Sequence, residues 1–144
     1  MAIRQVTPPQ AQTLLQSGST YIDVRTEAEF AAGHPAGAVN IPIAVPDART
    51  GQMAINPDFV PTVQAHYAAG AALVIGCQSG MRSQRAAEVL EHAGFSNVVN
   101  MQGGFGGARD ASGRVTVPGW KDSNLPLCTA CAPEAAYAVL RRRA

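Results

Sequence analysis

The sequence predicts an α/β fold, in which an open, mainly parallel sheet is flanked by helices on both faces. Short apolar runs alternate along the chain with helix-start signals, and this alternation is typical of parallel sheets. Residues 71–76 are continuously apolar, as expected of a central strand that is covered on both faces. In residues 83–93 the small and apolar side chains recur at i, i+3, i+4 and i+7, which places them on one face of a helix.

Capping patterns locate the helix starts. Thr7 precedes two prolines and Gln10, a pattern that satisfies the free backbone donors of a first helical turn. Thr26 and Glu29 repeat this capping box, and Asn56 followed by proline is a third start signal. In chain order the predicted elements are a helix at 8–16, a strand at 21–24, a helix at 27–33, a strand at 38–43, a polar loop at 46–51, a helix at 57–67, a strand at 71–76, a helix at 83–93, a strand at 97–101 and a helix at 133–143.

Composition excludes several classes of protein. With 144 residues the chain is about one ordinary domain, and its 47% apolar and 15% charged residues exclude a largely disordered chain. The net charge of +1 lacks the basic excess of proteins that bind nucleic acid, so we expect no nucleic-acid partner. The longest apolar stretch is too short to span a membrane, and no targeting segment is visible. Three cysteines, an odd and sparse number, favour a reducing compartment, so we predict a cytoplasmic protein.

Cys77 is the strongest candidate for chemistry. It lies between the apolar strand and the amphipathic helix, where loop amides and a helix N-terminus meet at the carboxyl end of a parallel strand. This position, together with the guanidinium of Arg82, favours a thiolate. Gly80 permits a tight turn around the sulfur. The alternative is a buried core cysteine without a chemical role.

Several separated blocks of the sequence resemble the rhodanese (sulfurtransferase) family, single-domain type. They are the segment Tyr21-Ile22-Asp23-Val24-Arg25 with Glu29-Phe30, the pairs Gly33-His34, Gly103-Gly104, Gly119-Trp120 and Leu125-Pro126, the stretch at 37–42 and the loop at 77–83. The resemblance covers roughly residues 3–127. It implies a five-stranded parallel sheet and a sulfurtransferase that carries sulfur as a Cys77 persulfide, with no cofactor and no metal.

The resemblance also implies the partners and the roles of the site residues. The donor would be a small sulfur anion such as thiosulfate, or a persulfide, and the acceptor would be cyanide or a thiol, including a protein thiol. Asp23 and Arg25 would support the loop as an ion pair, although Arg25 could instead reach the pocket rim. His34 is interpreted as a turn or packing residue. The loop residues expected to bind the substrate are Gln78, Ser79, Gly80, Met81, Arg82 and Ser83.

Two features of the loop bear on the activity and its specificity. Four residues separate Cys77 from Arg82, whereas related phosphatases and arsenate reductases have one more, so those activities are the weaker alternative. A non-catalytic binding or regulatory module is the other alternative. Met81 stands where many family members carry a cationic or polar side chain, which predicts weaker binding of thiosulfate than of a donor with less charge.

The end of the chain departs from the family pattern. Residues 108–118 form an insertion, either a flap beside the active-site mouth or a solvated hairpin. We divide the chain into a rhodanese-like domain at 1–127 and a tail at 128–144, which contains a short basic helix. In that tail Cys128 and Cys131 form a CxxC pair. A redox or resolving role and an incidental role remain open, and zinc is disfavoured because a second ligand pair is lacking.

Overall fold

The secondary structure is described for residues 3–129 and 133–142 in a computed structural model. In chain order its elements are β1 (Arg4–Val6), α1 (Pro8–Gln16), β2 (Thr20–Asp23), α2 (Glu27–Ala32), β3 (His34–Pro35), β4 (Val39–Asn40), β5 (Ala44–Pro46), β6 (Met53–Ile55), α3 (Phe59–His66), β7 (Leu73–Gly76), α4 (Met81–His92), β8 (Val98–Met101), β9 (Ala108–Arg109), β10 (Val115–Val117), β11 (Leu127–Cys128) and α5 (Tyr137–Arg142), with 3₁₀ turns at Lys121–Ser123 and Pro133–Ala135.

A five-stranded sheet with the order β1-β8-β7-β2-β4 organises the molecule, and all of its neighbouring strands are parallel. This architecture confirms the predicted α/β fold. Every residue of β7 and of β8 is buried, as expected of central strands covered on both faces. Because Asp23 at the end of β2 pairs with Gly76 at the end of β7, the segment after β2 lies beside the Cys77 loop.

The core has two parts, one on each face of the sheet. Leu73 and Ile75 pack in one apolar cluster, whereas Val74 packs in the other, because successive side chains of a strand point to opposite faces. Trp120 is fully buried in the second cluster, and its indole nitrogen donates to the Pro126 carbonyl over 2.8 Å. Apolar side chains therefore cover the sheet on both faces.

The boundaries of two helices differ from the prediction for local reasons. Helix α3 begins at Phe59 rather than at residue 57. Its predicted cap, Asn56, instead accepts from the Asp58 backbone N–H and donates to the Pro42 carbonyl. Helix α4 begins at Met81, two residues earlier than predicted, because Gly80 takes a left-handed conformation at its N-cap. The strand predicted at 38–43 is reduced to β4, and β1 was not predicted.

The insertion and the tail both pack against the domain. Residues 108–118 contain the antiparallel hairpin of β9 and β10. Strand β11 pairs with β3, and Tyr137 and Leu140 of α5 are buried in the first apolar cluster. The division at residue 127 stays a prediction, but the described part of the tail contributes side chains to the core.

Candidate functional site

Cys77 follows β7 directly, and the backbone curls around its sulfur. The Gly80 N–H donates to Cys77 Sγ over 3.1 Å, and the Ser83 hydroxyl lies 3.3 Å from the same atom. Gly80 has φ +106°, a conformation that side chains other than hydrogen rarely allow. Cys77 is a free cysteine with 1% of its surface exposed, at the N-terminal end of α4. The loop thus presents a backbone amide and a hydroxyl to the sulfur.

A buried amide stands behind these contacts. The Ser83 hydroxyl is 2.6 Å from Asn100 Oδ1, and Asn100 Nδ2 donates to Gln5 Oε1 over 2.8 Å. Asn100 is 2% exposed and belongs to β8. Sequence reasoning did not identify Asn100 or Gln5 as site residues. The signal that could have found Asn100 is a carboxamide in the middle of the apolar strand at 98–101.

The guanidinium of Arg82 binds Glu29 through two hydrogen bonds of 2.9 and 3.0 Å. These hydrogen bonds lower the pKa of Glu29 from 4.5 to about 2, and the same contact raises the pKa of Arg82. From the sequence, Arg82 was expected to favour the Cys77 thiolate and to bind the substrate with its positive charge. Glu29 balances that charge, which the capping pattern of Glu29 alone did not reveal.

Asp23 and Arg25 form a buried ion pair, with 2.7 Å between Arg25 Nη2 and Asp23 Oδ2. Arg25 also donates to the Gly33 carbonyl and, over 3.4 Å, to Gln78 Oε1 in the loop. Its guanidinium lies 4.5 Å from the centre of the Phe105 ring. The charge of Arg25 is therefore balanced by a carboxylate, and its remaining contacts brace the loop from the side.

The glycine-rich segment at 103–107 supports the loop from behind. The Phe105 N–H donates to the Cys77 carbonyl over 2.7 Å, and the Gly106 N–H donates to the Gln78 carbonyl over 2.9 Å. A Cβ on Gly104 would collide with the Cys77 carbonyl oxygen. Close approach of the Cys77 loop backbone therefore explains why residue 104 is glycine.

A cavity of about 560 Å³ lies beside the loop. Ser79, Gly80 and Met81 of the loop and Val117 of β10 are among the residues that line it. The inserted hairpin therefore contributes one residue to this cavity, and whether it is a flap or a solvated hairpin stays a prediction. Cys77 itself does not line this cavity. The Met81 side chain is 79% exposed.

The remaining candidate residues lie away from the sulfur loop. His34 is buried, stacks on Phe30 with 3.7 Å between ring centres, and contacts the Phe30 carbonyl through Nδ1, as a packing residue would. Cys128 is buried opposite His34 in the β11–β3 pair and is disulfide-bonded. Cys131 lies outside the described residues, so the redox role of the pair remains a prediction. Within residues 3–129 and 133–142, acidic, histidine and cysteine side chains form no group suited to a metal ion.

The described helices include none with the length and apolar character needed to cross a membrane.

Comparisons with known proteins identify the family to which this chain is similar. The family description "Rhodanese-like domain" matches residues 7–111. The chain is 43% identical over 95 residues to thiosulfate sulfurtransferase 16, chloroplastic, of Arabidopsis thaliana, covering 66% of this chain and 78% of that protein. It is 37% identical over 118 residues to senescence-associated protein DIN1 of Raphanus sativus, covering 81% of this chain and 56% of that protein. The crystal structure of Rv0390 from M. tuberculosis superposes with a TM-score of 0.74 at 30% identity, covering 90% of this chain and 99% of that one.

Proposed function

This chain belongs to the rhodanese-like domain family, and from that premise we propose that it is a sulfurtransferase with Cys77 as its sulfur carrier. The Cys77 thiolate attacks the sulfane sulfur of a donor and forms a new S–S bond, while the donor leaves with the electron pair of its own broken S–S bond. With thiosulfate the leaving group is sulfite, and with a persulfide it is a thiolate. A thiol or cyanide then takes the outer sulfur and regenerates the Cys77 thiolate, which is covalent catalysis in two displacements.

The observation that carries this proposal is the surroundings of Cys77 Sγ. A backbone N–H at 3.1 Å and a hydroxyl at 3.3 Å face an atom that must hold negative charge in the first displacement. The sulfur also lies at the start of the 12-residue helix α4, whose N-terminal end has partial positive charge. Hydrogen-bond donors directed at developing charge are the usual means of stabilising an anionic nucleophile.

We further propose that the preferred donor has low charge, as a persulfide does, rather than the double charge of thiosulfate. Arg82 is paired with Glu29 and Arg25 is paired with Asp23, so neither arginine contributes an unbalanced charge. Met81 adds none at the exposed position of the loop. The loop therefore offers amides and a hydroxyl, which suit a neutral or singly charged group better than a dianion.

The burial of Cys77 is the observation that favours the alternative, a non-catalytic binding module, since only 1% of the residue is exposed. The shorter loop argues against a phosphatase or an arsenate reductase, because a tetrahedral oxyanion needs a wider cradle.

Intact-mass measurement separates the enzyme from the binding module. After incubation with thiosulfate or a small persulfide, we expect the protein to gain the mass of one sulfur atom, located on Cys77 by peptide mapping. Cys77→Ala should gain none at this site and should lose sulfur transfer to cyanide or a thiol. Wild-type protein that stays unmodified with every donor would instead support the binding module. Because Cys128 is buried and disulfide-bonded, its sulfur is not a free thiol, and the same peptide map should show no added sulfur on it.

A further inference from the structure

One side chain contacts both hydrogen-bond partners that Cys77 Sγ has within the described residues. Asn100 Oδ1 lies 2.6 Å from the Ser83 hydroxyl, and Asn100 Nδ2 donates to the Gly80 carbonyl over 3.4 Å. Ser83 and Gly80 are the residues whose hydroxyl and N–H reach the sulfur. Ser83 and Asn100 are 0% and 2% exposed, so bulk water does not compete for the hydrogen bond between them.

The orientation of the Asn100 amide follows from its neighbours. A backbone carbonyl can only accept a hydrogen bond, so the amide NH₂ group must face the Gly80 carbonyl and the oxygen must face Ser83. Gln5 strengthens this arrangement. Its NH₂ group donates to the Ile3 carbonyl over 3.2 Å, which leaves its own oxygen to accept from Asn100 over 2.8 Å. Asn100 therefore presents an acceptor, and not a donor, to the Ser83 hydroxyl.

The Ser83 hydroxyl has one proton and two acceptors within reach. Asn100 Oδ1 is the nearer, at 2.6 Å against 3.3 Å for Cys77 Sγ, and oxygen accepts more strongly than sulfur. When Sγ is neutral, the Ser83 hydroxyl can keep donating its hydrogen bond to Asn100 Oδ1. If Sγ is a thiol, it can in turn donate its own hydrogen to the Ser83 oxygen. A charged sulfur needs the proton, and turning the hydroxyl toward it leaves the buried Asn100 oxygen without a donor, which is costly.

We propose that Asn100 is a positioning residue that competes with Cys77 for the Ser83 proton and thereby favours the states in which Sγ is neutral. The consequence for catalysis rests on the proposed sulfur transfer. In the loaded persulfide the charge lies on the outer sulfur and Sγ is neutral. When an acceptor thiolate bonds to the outer sulfur, the S–S bond breaks, its electron pair returns to Sγ, and the Ser83 hydroxyl turns to that atom. Asn100 thus slows discharge and prolongs the loaded state.

The effect is testable on the thiol itself, independently of sulfur transfer. Asn100→Leu removes the competing acceptor and fills the space, while the Gln84 N–H continues to hold the Gly80 carbonyl over 3.2 Å. We expect iodoacetamide to alkylate Cys77 about tenfold faster in this variant at neutral pH, as measured by peptide mapping. About tenfold is the rate factor that corresponds to the free-energy cost of leaving one buried acceptor without a donor. Ser83→Ala should slow alkylation, and Asn100→Leu should have no further effect in the Ser83→Ala background.

Two further variants keep the result interpretable. Asn56→Leu removes another buried amide, one that binds the Pro42 carbonyl and the Tyr137 hydroxyl, and should leave the alkylation rate unchanged. Gln5→Leu changes an exposed residue and loosens the Asn100 amide, so we expect a smaller acceleration of about twofold to threefold in a protein that folds normally. Slower alkylation in Asn100→Leu, or acceleration that persists without the Ser83 hydroxyl, would overturn the proposal.

Persulfide discharge provides a second readout. Asn100→Leu loaded with sulfur should transfer it to a small thiol about tenfold faster than wild type. Absence of sulfur uptake in the wild type would refute the proposed function, and the alkylation rates would still decide the role of Asn100.

Discussion

At the scale of single residues, Glu29 links two elements. Its backbone N–H and one carboxylate oxygen complete the capping box with Thr26 at the start of α2. The same carboxylate accepts two hydrogen bonds from Arg82 of α4. The ion pair is about one-third exposed on each side, so water screens part of its energy. Glu29 therefore joins the helix after β2 to the helix after the Cys77 loop.

This pairing predicts a pH-dependent contribution to stability. The pKa of Glu29 is lowered by Arg82 from 4.5 to about 2, so the contribution is fully present above pH 4.5 and is lost as pH falls toward 2. Glu29→Gln keeps the cap but loses the charge, and should reduce the free energy of unfolding by about 1 kcal/mol at neutral pH, the value of a partly exposed ion pair.

Urea unfolding at a series of pH values measures this difference. The difference in free energy of unfolding between wild type and Glu29→Gln should decrease as the pH falls from 4.5 to about 2. Glu27→Gln is the control, because it removes a carboxylate from the same helix without removing an Arg82 hydrogen bond. If this difference in free energy of unfolding stays constant down to the lowest pH, the ion pair does not stabilise the fold.

At the scale of elements, the Cys77 loop depends on the glycine-rich segment at 103–107. Two backbone hydrogen bonds connect them, from Phe105 to Cys77 and from Gly106 to Gln78. Gly104 has φ +60°, and a Cβ there would lie 2.6 Å from the Gln78 carbonyl carbon and closer still to the Cys77 carbonyl oxygen. Because the colliding atoms are backbone, the loop would have to move to admit a side chain.

Gly104→Ala should therefore lower both stability and sulfur uptake. Gly113→Ala is a matched control, since its φ is +84° but no atom lies within 4 Å of the added Cβ. We expect Gly113→Ala to cost about 1–2 kcal/mol through backbone strain, and Gly104→Ala to cost about 2–5 kcal/mol because overpacking adds to that strain. Denaturant unfolding and the mass assay on Cys77 measure the two effects. If Gly104→Ala and Gly113→Ala lose the same amount of stability and of sulfur uptake, the glycine-rich segment does not support the Cys77 loop.

Patterns that are local in sequence were predictable, and contacts between distant residues were not. The capping boxes at Thr7 and Thr26 are present in the structure as predicted. The turn at Gly80 was also expected. In contrast, the Arg82–Glu29 pair joins residues 53 positions apart, and the Ser83–Asn100 bond joins residues 17 apart. Neither partner of such a contact carries a local signal for the other, so their meeting depends on the strand order.

The length of individual strands was the weakest part of the prediction. Apolar residues at 38–43 suggested a strand, yet the strand itself covers only Val39–Asn40. The neighbouring Ile41 and Ile43 are buried in the core, and their N–H groups donate to the Asp23 and Val24 carbonyls outside the regular strand. Burial and strand pairing therefore leave the same apolar pattern in the sequence. The short edge strand β1, with two exposed residues, leaves almost no pattern at all.

At the scale of the whole molecule, the net charge of +1 agrees with the balanced pairs around the loop. Lys and Arg total 11 and Asp and Glu total 10, and two of these arginines are paired with carboxylates beside the sulfur. Attraction of an anion by the overall field is therefore weak, and donor selectivity must come from groups close to Cys77. A positive charge added at the loop should therefore change the binding of an anionic donor more than the same charge added elsewhere.

Two exposed methionines allow this difference to be measured. Met81 belongs to the loop and is 79% exposed, whereas Met53 belongs to β6 and is 51% exposed. Met81→Arg and Met53→Arg raise the net charge equally. We expect Met81→Arg to lower the KM for thiosulfate by about threefold to tenfold, since a nearby guanidinium binds an oxyanion directly, and to lower the KM of a persulfide donor, which has at most one charge, by a smaller factor.

Met53→Arg should change neither KM, because its charge is screened by the intervening salt solution. Steady-state sulfur transfer to a common thiol, measured for wild type and both variants with both donors at one ionic strength, gives the KM values to be compared. An equal decrease in the thiosulfate KM of both variants would show that overall charge controls selectivity. An unchanged thiosulfate KM in Met81→Arg would show that the loop amides alone hold the donor and that Met81 does not set the preference for low charge.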